Sequence, residues 1–84
     1  MSLQDTIAQI ASLQRAIQDQ MRLINDFLRS NAETMQLVRT ELTGSTKGYD
    51  SQMLSVLTQT ESSLRSSLSR LEQASTALDR VRTI

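Results

Sequence analysis

The sequence predicts an all-α fold, an antiparallel helix-turn-helix hairpin that dimerises into a four-helix bundle. Three observations carry this: an apolar stripe at helical spacing through the first half, a leucine every seven residues through the second, and a glycine-containing break between them. Proline is absent throughout, as two long uninterrupted helices require.

The first element is read from its seam. Steps of four and three residues from Leu3 pass through Ile7, Ile10, Gln14, Ile17, Met21, Ile24, Leu28, Asn31, Met35, Val38 and Leu42, interrupted only by Gln14 and Asn31. A stripe that returns every 3.5 residues on average keeps one face turned toward a partner helix, which strand alternation cannot do. Arg15, Arg22 and Arg29 recur away from the seam, each followed four residues later by an acid, Asp19, Asp26 or Glu33. The spacing predicts three ion pairs along a solvated face, each worth a few tenths of a kcal/mol. Ser2 with Asp5 three residues on makes a capping-box start, and Gly44 is placed to end the helix in a left-handed turn. The expected helix covers about residues 3–42. Ser30, Asn31 and Glu33 offer a second cap where it could bend, but the seam and the charge columns pass through them in phase.

Residues 43–50, TGSTKGYD, hold both glycines and the only lysine and interrupt the seam. They read as the hairpin loop, with Asp50 or Ser51 capping a second helix over about residues 51–83. That helix carries Leu57, Leu64, Leu71 and Leu78 at intervals of seven. Beside them run Met53, Thr60, Ser67, Ala74 and Val81 on one flank, with Leu54 and Leu68 on the other. The seam is therefore mixed, and Ser67 and Ala74 are expected to make room for facing side chains.

With 84 residues, the chain is one domain with a thin core. Small folds add disulfides, a metal or a partner chain, and with no Cys and no His the remaining device is oligomerisation. The same inventory argues against an enzyme, since hydrolytic triads and most metal sites draw on His or Cys, and the many hydroxyls have no activating base. No catalytic, metal-ligating or cofactor-binding residue is predicted, and no cofactor. Nine basic and nine acidic residues are interspersed, and Tyr49 and Phe27 are the only aromatics, so neither phosphate attraction nor base stacking favours a nucleic acid. No apolar run approaches a bilayer-spanning length, and the start, MSLQDTIAQI, lacks the features of a signal peptide. The expected location is cytoplasmic, or outside the cell by a route that uses no such signal.

The apolar surface exceeds what one hairpin covers. Leu13 and Phe27 flank the first seam, Leu23 and Leu37 widen it, and Tyr49, Val56, Ala77 and Ile84 form a further heptad-spaced column on the second helix. The residues expected to pack against another helix, of this chain or of a partner, are Ile10, Ile17, Met21, Ile24, Phe27, Leu28, Met35, Val38, Leu57, Leu64, Leu68, Leu71 and Leu78. Leu42, Gly44, Gly48 and Tyr49 are candidates for a recognition tip at the bend.

Two long amphipathic helices with a short glycine-containing loop in an 84-residue chain resemble the WXG-type small secreted proteins of type VII secretion, the early secreted antigen family. The resemblance spans the whole chain and is mainly architectural. Where that family has Trp-x-Gly at the bend, this chain has Leu42, Thr43 and Gly44; its only tyrosine, Tyr49, is followed at the family's signal spacing by Met53 rather than an acid. Trp-less hairpins of this size also resemble the helical partners of toxins with an LXG targeting domain. The resemblance implies a secreted factor or effector partner, bound to itself, a related hairpin, a toxin or a secretion component. The alternatives are a cytosolic adaptor or chaperone hairpin for a secretion or filament subunit, and a subunit of a structural assembly.

Overall fold

The computed structural model describes residues 2–41 and 48–83, and within them contains two helices, α1 (Leu3–Glu41) and α2 (Tyr49–Arg82). They pack side by side in a rod of 65 × 17 × 14 Å. The hairpin follows from the two seams, while its closing residues Leu42 and Gly44, with the expected left-handed end of α1, lie outside the described residues.

The start of α1 forms as its residue types dictate. The Asp5 N–H donates to Ser2 Oγ at 3.1 Å and the Ser2 N–H to Asp5 Oδ2 at 3.4 Å, so two otherwise unpaired donors are satisfied reciprocally. The helix then runs unbroken through residue 30, because Asn31 uses its side chain across the hairpin instead of as a cap.

The start of α2 differs from the expectation at Asp50 or Ser51. Tyr49 is already helical, and the cap position falls to Gly48, with φ 70° and ψ 16° and no side-chain capping bond. Asp50 Oδ1 instead accepts from the neighbouring Ser51 N–H at 2.8 Å, and Asp50 places a negative charge in the first turn, where the helix dipole favours it. A left-handed φ suits glycine, and a Cβ built at Gly48 meets nothing within 4 Å. Gly48→Ala is therefore expected to destabilise by about 1 kcal/mol through backbone conformation alone. Gly48→Asn should cost less, because asparagine tolerates this region better. Urea melts of the two variants check the order.

The outer ion pairs also run differently. Arg22 reaches back to Asp19 at 3.3 Å and Arg29 back to Asp26 at 3.9 Å, rather than forward to the acids four residues on. The acid then lies N-terminal to the base, the order the helix dipole prefers. These groups are largely solvated and contribute little to stability.

Candidate interaction face

Outward from the shared seam, α1 turns inward the predicted residues: Ile17, Met35 and Val38 are buried, and Ile10, Met21, Ile24 and Leu28 are half-buried. On α2 the half-buried positions are Asp50, Leu54, Leu57, Glu61, Leu64, Leu68, Leu71, Ser75 and Leu78. The column expected beside the leucines is thus on the outside: Met53, Thr60, Ser67, Ala74 and Val81 are all exposed, and Ser67 and Ala74 do not receive side chains from α1. Both columns flank the leucines at comparable angles, so helical spacing cannot choose between them. In the packed hairpin the side holding Leu54, Glu61, Leu68 and Ser75 is turned toward α1, although the other side carries no fewer apolar residues.

The polar members of the seam make the cross-hairpin hydrogen bonds, a role the spacing alone did not assign. Asn31 Nδ2 donates to the Leu57 carbonyl at 2.9 Å. Gln14, only 5% exposed, donates through Nε2 to Asp79 Oδ1 at 2.7 Å and to the Ser75 carbonyl at 3.4 Å, while its Oε1 accepts from Arg82 Nη1 at 2.9 Å. Each such bond is worth about 1 kcal/mol net, and a partner lost by sliding leaves a partly buried amide unsatisfied. Gln14 and Asn31 therefore hold the register of the hairpin, as single polar seam residues do in coiled coils. The legible signal was their position as the two polar interruptions of an otherwise apolar stripe.

The remaining apolar residues gather on one side. In an antiparallel pair, the column next to the seam on one helix neighbours the corresponding column on the other. Leu13, Leu23, Phe27 and Leu37 of α1 consequently lie on the same face as Tyr49, Met53, Val56 and Val81 of α2. A shallow groove lined by Thr34, Gln52, Met53, Val56 and Leu57 joins the two helices on this side. The opposite side is polar, with a depression lined by Ala11, Gln14, Arg15, Gln18, Asp79 and Arg82.

The apolar face is open to solvent: Phe27 and Leu23 are both 56% exposed and Val56 is 61% exposed. Phe27 is thus separate from the other residues predicted to pack, lying outside the seam and on this face. Tyr49, exposed at the first turn of α2, continues the face toward the bend, so of the tip candidates this one adjoins the apolar face, while Leu42 and Gly44 lie outside the described residues. Neither helix is long and apolar enough to cross a membrane. Among the described residues no group of three or more His, Cys, Asp or Glu is arranged to hold a metal ion. Comparison with protein-family models, with curated proteins and with solved structures finds no match.

Proposed function

We propose that this chain is a non-enzymatic helical interaction module that docks its open apolar face on another helical hairpin, in the first place a second copy, to complete a four-helix bundle. The observation that carries the reading is an exposed face beside an already closed seam, with Leu13, Leu23, Phe27 and Leu37 on α1 and Tyr49, Met53, Val56 and Val81 on α2, interrupted on α2 by Thr60, Ser63 and Ser67. Its area supports the same reading. The chain exposes 6412 Å², whereas a compact protein of 9.4 kDa exposes about 5000 Å². A stable interface covers about 800 Å² per partner, which removes more than half of that excess.

In biological terms we assign the chain to the WXG-like small proteins of a type VII secretion system, as a secreted factor or effector partner. The support is architectural: two long helices, a glycine bend and an apolar face that reaches Tyr49 beside the bend. Two measurements test the proposal. Sedimentation at micromolar concentration is expected to give a dimer, and a monomer with its apolar face open would overturn the bundle. The protein is also expected in culture supernatant, where Tyr49→Ala loses a co-purifying partner while its thermal melt is unchanged. Retention in the cell with no such partner would overturn the secretion assignment and favour the adaptor reading.

A further inference from the structure

We infer that Met53 is a modification site for peroxide-class oxidants, and that its conversion to the sulfoxide separates copies of this chain that pair through the apolar face. The separation rests on the dimer proposed above, whereas the site stands on the hairpin alone.

The three methionines among the described residues differ in what surrounds their sulfur. Met35 is 8% exposed, and Asn31 Nδ2 donates to its Sδ at 3.8 Å, so the sulfur is covered and a lone pair is engaged. Met21 is half-buried in the seam. Met53 is 44% exposed, and among the described residues no donor reaches its sulfur. Oxidation of a thioether needs a free lone pair and a path for the oxidant, which sets the order Met53, then Met21, then Met35.

The sulfur lone pair attacks one oxygen of hydrogen peroxide, and the S–O bond forms as the O–O bond breaks. The departing oxygen takes up the proton of the transferred one and leaves as water. Sulfur is oxidised by two electrons and the peroxide is reduced, and the step needs no activating base.

Met53 stands between Tyr49 and Val56 on the open side of α2, and with Thr34, Gln52, Val56 and Leu57 it lines the shallow groove where the helices meet. The other large apolar side chains of that face carry no sulfur to accept the oxygen. A sulfoxide puts a strongly polar S–O dipole into this groove, and covering it with a second apolar surface that offers no donor is unfavourable. The hairpin keeps its own packing, because Met53 faces outward. Pairing in turn shields the sulfur, so oxidation and association oppose each other by linkage.

Trypsin leaves the four methionines in four separate peptides, with Met53 alone in residues 48–65. The full-length protein is treated with hydrogen peroxide at a concentration low enough to favour the free hairpin, and peptide masses are followed in time. Met53 is expected to gain one oxygen several-fold faster than Met21 and Met35, and equal rates in the folded protein would overturn the site. Protein in which Met53 is oxidised and Met35 is not is expected to keep its helical circular dichroism and to dimerise at least about tenfold more weakly. Met53→Leu, which keeps the apolar volume without the sulfur, is expected to dimerise normally and to be unaffected by the same treatment. A dimer of unchanged strength after Met53 is oxidised overturns the effect on pairing, as does equal peroxide sensitivity in the Met53→Leu variant. An untreated protein that sediments as a monomer overturns the bundle, and the peptide rates then decide the site by themselves.

Discussion

Ile17→Ala is expected to lower the stability of the folded chain by about 2 to 4 kcal/mol, the range for truncating a large aliphatic side chain in a packed interior. Ile17 is 7% exposed and lies one seam step from Gln14, so its removal opens a void that the fixed register of Gln14 prevents from closing. Leu64→Ala and Leu71→Ala are expected near the lower end of that range, because both leucines are only half-buried in the hairpin. Arg22→Ala should cost no more than about 0.5 kcal/mol, since its pair with Asp19 is in solvent. Urea melts followed by circular dichroism at one protein concentration give the order directly. An arginine change more damaging than the isoleucine change would mean that seam and outer face have been exchanged. Holding concentration constant matters because association adds to apparent stability by mass action.

The second large effect is on assembly. If the chain pairs as proposed, replacing Leu23 and Phe27 together by aspartate is expected to convert the proposed dimer to a monomer while the hairpin stays helical. Both side chains are more than half exposed in the hairpin, so their loss removes little of its own packing, whereas in the proposed bundle they are the large apolar groups set against the second copy. Two charges placed there would have to be buried without partners, a change that costs far more than the lost apolar contact. Gln18→Asp, on the polar side, serves as the control and should leave the dimer in place. Sedimentation of the three proteins at the same micromolar concentration separates the outcomes. A double variant that remains dimeric would show that the copies meet on another surface. A double variant that loses its helical signal would place Leu23 and Phe27 in the fold of the hairpin itself.

The two assays ask different questions of the same stripe. The inner half of the apolar surface is spent within the chain, where Ile17, Met35 and Val38 are covered by α2. The outer half, from Leu13 to Leu37, is available to another hairpin. A thin interior follows from this division: no side chain in the described residues is large and fully buried. Completing a bundle adds a second layer of contact to helices that a single pairing leaves half wet.

The two helices, the α1 seam and the capping box at Ser2 and Asp5 could be read from the sequence because each depends on spacing along one chain. Apolar residues at every third or fourth position share a helix face wherever the helix is placed, and Ser2 bonds to a residue only three positions away. What the tertiary structure decided was the rotation of α2 about its own axis. The leucine column from Leu57 to Leu78 has a mixed apolar and polar column on either side, and only the presence of α1 selects Leu54, Glu61 and Leu68 to face inward and turns Met53 and Val81 out. The same contact settles the roles of Gln14 and Asn31, whose hydrogen-bond partners lie 65 and 26 residues away. Periodicity records which residues share a face; which face a neighbouring helix covers depends on the surface that helix presents, and that exists only once the two are packed.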